Sequence, residues 1–435
     1  MFSFSYPFLV LYFSMLYSII FLKLLTHNSL GDNRTWYQFK SFYIGMLLLL
    51  LVLPWAVYAR SSPQNFRNPD IFAYMFDSEE ILRLGHIPSV LKEDMYYVSF
   101  PVFTLLTSLL SLTSNLNSLH SVLLLNMIIQ ILFWLSIWTF IREISNRLLR
   151  LSHIAFGMVT VVYANPYLYG YFNTPLPQTM GLFIMLILYT IYIRLRILSI
   201  SNLITYLILL IAGLVHITVI PSFLFMVFVL YLLNRITLRQ GIQHGGIQHG
   251  QYRVLIPIAV FSIYITYTVA LYPFSGYLQK VLGFINHVIV AAARGEVAIT
   301  EGLPRGVLYP LNALGPALVI GATLSYIIMH LRAILKHEET DNELGAVALT
   351  SMVFITLGSL RQRFYVWGIA FFSISRYFNL PGYALATVVA TWIVANALKH
   401  QKQRWLSILL IAVLILSAIG GLLDPLAFRS LNLNP

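Results

Sequence analysis

Six of the fifteen acidic residues in the chain fall between Asn68 and Pro101: Asp70, Asp77, Glu79, Glu80, Glu93 and Asp94. Almost everything around them is apolar. A carboxylate held beside a polarised leaving group can take the proton of an attacking hydroxyl. On a helix Asp70 and Asp77 would stand two turns apart, roughly 10 Å along the axis, too far to share a proton. Each is therefore a single-carboxylate candidate for catalysis, Asp70 foremost because it sits in the first turn. Tyr74, Glu80, Asp94 and Tyr97 are candidate substrate contacts beside them. The plainer reading is that these acids solvate a surface helix and pair with Arg67, Arg83 and Lys92.

The local sequence predicts the element that carries them. Asn68 is a good N-cap and Pro69 a favoured first helical residue. Gly85 stands where a left-handed C-terminal residue is wanted, with Pro88 just beyond. A helix over 69–84 follows. At 100° per residue Ile71, Phe72, Met75, Phe76 and Leu82 share one side, and Asp70, Tyr74 and Asp77 project from the other, flanked by Glu80. Glu79 falls on the apolar side. This is the pattern of a helix lying on a membrane surface with its apolar side down.

Composition sets the wider frame. The 435 residues are 59% hydrophobic and 10% charged, against about 25% charged for an average soluble domain, and mean hydropathy is +0.79. The chain reads as one all-α transmembrane domain over 1–435, multi-pass in a cell membrane. The net charge of +12 fits Lys and Arg in cytoplasmic loops. No nucleic-acid-binding pattern accompanies it, so no nucleic-acid partner is expected. With no cysteine there is neither a disulfide framework nor thiolate chemistry. A carboxylate at the bilayer centre costs roughly 2.5–3.5 kcal/mol on insertion scales, which puts the acidic stretch in water at a membrane surface.

Apolar segments predict about twelve helices, near 5–25, 42–59, 119–141, 152–168, 177–196, 202–215, 217–234, 253–273, 307–330, 345–360, 380–398 and 405–423. The first lacks the basic flank and cleavage site of a signal peptide and is read as retained. Positive-inside counting makes the loop with Lys23, Arg34 and Lys40 cytoplasmic and the loop 60–118 external. Arg142, Arg147 and Arg150 then fall inside, so Phe100–Thr113 must lie in the outer interface or dip in and return. The later clusters Arg194/Arg196, Arg235/Arg239/Arg253, Arg332/Lys336 and Lys399/Lys402/Arg404 also fall inside. A second external loop spans 274–306. A low-complexity cytoplasmic loop spans 235–252, where a repeated Gly-Ile-Gln-His-Gly is a flexible linker rather than a metal site. Glu338, Glu339, Asp341 and Glu343 read as a solvated cytoplasmic turn. Arg361, Arg363 and Arg376 come out external, against the topological preference for cations. Either the acidic loop or a bound anion holds them there.

These features resemble a type C (GT-C) integral-membrane glycosyltransferase, the group that includes oligosaccharyltransferases, protein O-mannosyltransferases and lipid A aminoarabinose transferases. The resemblance rests on an early helix followed by an external Asp-x3-(Tyr/His)-x6-Ile-x3-Gly-x2-Pro loop, here Asp70, Tyr74, Ile81, Gly85 and Pro88. Tyr97 to Pro101 then leads into an apolar segment, Asn165-Pro166 opens a second external turn, and Arg376-Tyr377-x3-Pro381 precedes a late helix. His216 resembles a histidine found where short middle helices turn outside. The chain departs from the family in lacking a large C-terminal soluble domain, and Ile71 follows Asp70 where an adjacent acid would stand.

The resemblance implies sugar transfer from a polyprenyl- or dolichyl-phosphate donor to a glycan, lipid or protein acceptor on the extracytoplasmic side. It makes Asp70 the base and Arg376 the donor-phosphate contact, joined on topology by Arg361 and Arg363. His216 becomes a further candidate substrate contact. No cofactor is certain, and a divalent metal stays open. Three other readings compete: a transporter, a polysaccharide polymerase or ligase, and a non-enzymatic membrane subunit.

Overall fold

A computed structural model of the chain describes residues 69–86, 102–144, 177–194, 215–216, 219–239, 309–338, 340–360 and 372–399, with isolated helical positions at 154, 157, 158, 161 and 262. The described elements are all helical. They are α1 (Pro69–Leu84), α2 (Val102–Ser114), α3 (Ser118–Ile144), α4 (Pro177–Arg194), α5 (Val219–Arg239), α6 (Tyr309–Leu335), α7 (Asn342–Leu360) and α8 (Phe372–Lys399). The expected helices at 5–25, 42–59 and 405–423 lie outside the described residues. So do most of 152–168, 202–215 and 253–273, the loop 274–306 and the Gly-Ile-Gln-His-Gly repeat.

Four of these helices are long and apolar enough to cross a bilayer: Ser118–Ile144, Val219–Leu238, Leu314–Leu335 and Phe378–Asn396. Three shorter apolar helices accompany them, Val102–Ser114, Pro177–Ile193 and Asn342–Gly358. Together they mark a multi-pass membrane protein. At 1.5 Å per residue α3 is about 40 Å long and can cross a hydrocarbon core of about 30 Å, whereas α2 reaches only about 20 Å.

Helix ends follow local chemistry. Gly85 takes a φ of 72° and its N–H donates to the Ile81 carbonyl at 2.9 Å, ending α1 as expected. Asn117 caps α3, its Oδ1 accepting from the His120 N–H at 2.9 Å. α6 closes on His337 with a φ of 57°. The His337 and Glu338 N–H groups return to the Ile334 and Ala333 carbonyls at 3.1 and 2.9 Å, the paired bonds of a Schellman motif.

The core is one cluster in which α7 packs against α5, α6 and α8, while α4 bridges α3 and α5. The α7–α8 seam is close: a side chain on Gly382 would bring its Cβ to 2.9 Å from the Ile355 backbone nitrogen. Small residues at such crossings let backbones approach where lipid offers no hydrophobic drive. A polar clamp gathers one end of this bundle. Asn342, first residue of α7, donates from Nδ2 to Asn234 Oδ1 at 2.7 Å and to Thr237 Oγ1 at 3.1 Å on α5. Tyr326 of α6 donates to the Asp341 carbonyl and Tyr189 of α4 to the Glu343 carbonyl, both at 3.0 Å. Phe140 of α3 packs 5.8 Å from Tyr189.

The C-terminal ends of α3, α4, α5 and α6 therefore lie together. They bring Arg142, Arg194, Arg235, Arg239 and Arg332 to one end of the bundle. This is the grouping that positive-inside counting assigned to the cytoplasm. Arg142 also lies 5.4 Å over the Trp138 ring, an arrangement that suits a cation at an interface.

Three expectations need correction. The acidic run at 338–343 is not simply a solvated turn. Glu338 is exposed, but Asp341 is half-buried and caps α7 through Oδ1 to the Leu344 N–H at 3.0 Å, because the clamp draws it inward. α5 continues to Arg239, so Arg235 and Arg239 belong to the helix rather than to the loop that follows. α8 begins at Phe372, so Arg376 and Pro381 lie within it rather than ahead of it. Neighbouring helices allow a proline inside a membrane helix, and Pro316 of α6 is a second case.

Asn342→Ala removes two buried side-chain bonds and leaves their partners short. Roughly 1–3 kcal/mol of stability should be lost, read as a lower thermal midpoint of the full chain in detergent. An unchanged midpoint would show that the clamp holds nothing.

Candidate functional site

The acidic helix is fixed, and the face that fixes it is the polar one. Tyr74, Asp77, Ser78 and Ile81 are buried, the spacing of one helical stripe. They pack on α2 and α3. On the opposite side Phe76 is 56% exposed, and Glu79 and Arg83 are exposed beside it. The helix has two sides as its spacing predicts, but the side carrying Asp77, expected in water, is the one packed on protein, and the exposed side carries Glu79 and Arg83 beside Phe76.

Hydroxyls hold α1 to α2. Ser78 Oγ and Ser108 Oγ are 2.9 Å apart. Ser108 also donates within reach of the Ser78 carbonyl at 3.1 Å and the Thr104 carbonyl at 2.9 Å. Tyr74 meets Phe103 edge-on with centroids 5.2 Å apart. Hydroxyl ladders of this kind satisfy polar groups without charge and allow close helix approach. Glu80 pairs with Arg83 at 2.9 Å from Nε and 2.5 Å from Nη2. That is the surface pairing anticipated for these acids, and Arg83 is exposed.

Asp77 departs from the expectation that the acids lie in water. It is 1% exposed, and among the described residues neither carboxylate oxygen has a hydrogen-bond partner. Burial raises its carboxyl from 3.8 to about 6.

His216 is half-buried in the turn that ends where α5 begins; its carbonyl accepts from the Val219 N–H at 3.2 Å. Burial pushes its imidazole down to about 3, so it is neutral at physiological pH and acts as a donor or acceptor, not a cation. A Cβ on Gly181 would approach Val219 and His216, which sets this turn beside the start of α4, away from the basic end. α8 starts at this same end, opposite the basic one. Asn379 of α8 faces Gly358 near the end of α7, with Nδ2 3.4 Å from the Gly358 carbonyl. Arg376 lies one turn before Asn379 on the α8 backbone.

The end opposite the basic one thus receives His216 and the backbone position of Arg376, while α2 hands the chain to the N-terminal end of α3, away from Arg142. Asp70 occupies the first turn of α1. α1 packs on α3, which in turn touches α8. Arg361, Arg363, Asp94 and Tyr97 lie outside the described residues. Among the described residues no group of three or more His, Asp or Glu side chains could hold a metal ion. Sequence reasoning passed over Ser78, Thr104 and Ser108; the i, i+4 spacing of Thr104 and Ser108 on α2 and the lack of any charged residue in α2 were the available signal. No family model, curated protein or solved structure matches the chain.

Ser78→Ala and Ser108→Ala should each cost about 1 kcal/mol. The double variant should lose clearly less than the sum, since both remove one shared contact. Thermal or denaturant midpoints of the four proteins test this; strict additivity would show that the hydroxyls do not interact.

Proposed function

We propose that this protein is an integral-membrane glycosyltransferase, moving a sugar from a polyprenyl-phosphate carrier to an acceptor at the extracytoplasmic face. The observation that supports this reading most is the seating of α1. An acid-rich helix is fixed to the bundle by its polar stripe while Phe76 on the far side stays exposed. Such a helix meets lipid on one side and holds a first-turn carboxylate, Asp70, at a constant height. A lipid-carried substrate requires that combination.

In this scheme the acceptor hydroxyl oxygen attacks the anomeric carbon as the bond from that carbon to the phosphate oxygen breaks, with inversion. Asp70 takes the hydroxyl proton. The lipid phosphate leaves carrying the negative charge, and Arg376, with Arg361 and Arg363, stabilises it through forked guanidinium contacts. Asp77, buried within the α1 seat, positions the helix rather than touching the sugar. His216 is a neutral polar contact at the same end of the bundle. A divalent metal, if bound, would supply further charge at the phosphate.

A second reading has one observation in its favour. A buried carboxyl that titrates near 6 also suits a proton-coupled carrier. The experiment that separates them uses the full chain in proteoliposomes with a radiolabelled polyprenyl-phosphate sugar. Asp70→Asn should lower transfer at least a hundredfold without loss of folded protein, and Arg376→Ala should raise the KM for the donor. Undiminished transfer in Asp70→Asn would remove Asp70 as base. Solute uptake without sugar transfer would favour the carrier.

A further inference from the structure

The seating of α1 encloses a carboxyl that gains nothing from being there. On α1 the groups beside Asp77 are Tyr74 and Ser78, both on the packed stripe, while Glu79 is exposed and Glu80 is engaged with Arg83. α2 contributes no titratable or charged side chain between Val102 and Ser114. On α3 the titratable groups are His120, bonded to Asn117 in the first turn, and Arg142 and Glu143 in the last. Among the described residues, then, the buried Asp77 carboxyl has neither a hydrogen-bond partner nor a cation bonded to it. An isolated buried carboxylate is unfavourable by several kcal/mol and ordinarily either neutralises or moves.

We propose that Asp77 is a proton-binding site that governs whether α1 is seated on α2 and α3. With the proton on, the neutral carboxyl stays in the interface beside the Ser78–Ser108 pair. With the proton off, the charge draws α1 toward water and loosens the seat.

The direction of its titration agrees with this. The carboxyl moves from 3.8 when free to about 6 when seated, so the seated form binds the proton more tightly. Below pH 4 both forms are protonated and the seat is firmest. Between pH 4 and 6 only the loosened form is ionised, so seating weakens as pH rises. Above about pH 6 both are ionised and the weakening is complete. The gap between 3.8 and about 6 corresponds to a change on the order of a hundredfold in the seating equilibrium. This inference is independent of the transferase reading, because its readout is helix position rather than catalysis.

The chain contains no cysteine, so a single reporter thiol has no background. Ile81→Cys places it on the buried stripe, and Glu79→Cys, exposed on the same helix, corrects for the pH dependence of the reagent. In full-length protein in nanodiscs, the Ile81-to-Glu79 ratio of maleimide labelling rates should rise tens-fold or more between pH 4 and 6.5, then level. In an Asp77→Asn background it should stay at its low-pH value throughout. A flat profile with Asp77 present, or the same rise with Asp77→Asn, overturns the proposal. Thermal midpoints give a check without a reporter. Asp77→Asn should melt above the parent at pH 7.5 and level with it at pH 4; a lower midpoint at both values also overturns it.

Discussion

A polar stripe facing inward, with hydroxyls for partners on α2 and no charge there to meet it, is the constraint on which the outer part of this protein rests. α1 is held by Ser78 and Ser108 at 2.9 Å and by the edge-on contact of Tyr74 with Phe103. Turning that stripe inward leaves Phe76 outward together with Glu79 and Arg83. Asp77 is enclosed as a consequence. The same contacts leave, two turns after the first-turn acid Asp70, a buried carboxyl that has no hydrogen-bond partner among the described residues.

The opposite end of the bundle solves its polar problem differently. There α7 opens into a clamp in which Asn342 bonds Asn234 and Thr237, while Tyr189 and Tyr326 donate to backbone carbonyls of Glu343 and Asp341. Partners are matched, and the basic termini of α3 to α6 surround them. Between the two ends, glycine contacts such as Gly382 against Ile355 draw α7 and α8 together. The bundle is thus tightly tied at the end read as cytoplasmic. At the other end α1 rests on a short hydroxyl ladder.

How much of this could be read from the chain depends on which interaction decided each point. Pro69 and Gly85 fixed the limits of α1 locally, and local signals are legible. Periodicity also separated Phe76 from Asp77. It could not say which side another helix would cover, because that depends on α2 and α3 and on Ser108, thirty residues away. Pro381 looked like the start of a helix because proline breaks helices in water; packed against α7, α8 runs through it from Phe372. Asp341 looked solvated among charged neighbours, and only a tyrosine from α6 and an asparagine contact to α5 reveal its burial. Arg235 and Arg239 looked like loop residues because their charge hid a continuing helical turn. For the candidate site, Asp70 and Asp77 were singled out by type and spacing and His216 through the resemblance, whereas the burial of Asp77 required the fold.

Disulfide trapping across the α1–α2 contact tests the central claim most directly. In the cysteine-free chain, Ser78→Cys with Ser108→Cys puts two thiols where hydroxyl oxygens stand 2.9 Å apart. In an Asp77→Asn background, which keeps α1 seated at the neutral pH where thiols oxidise, mild oxidation in membranes should close the bridge, detected as loss of thiol labelling and as a cross-linked peptide by mass spectrometry. Two thiols that remain free, both labelled by a membrane-impermeant reagent after oxidation, would contradict the docking on which the account depends.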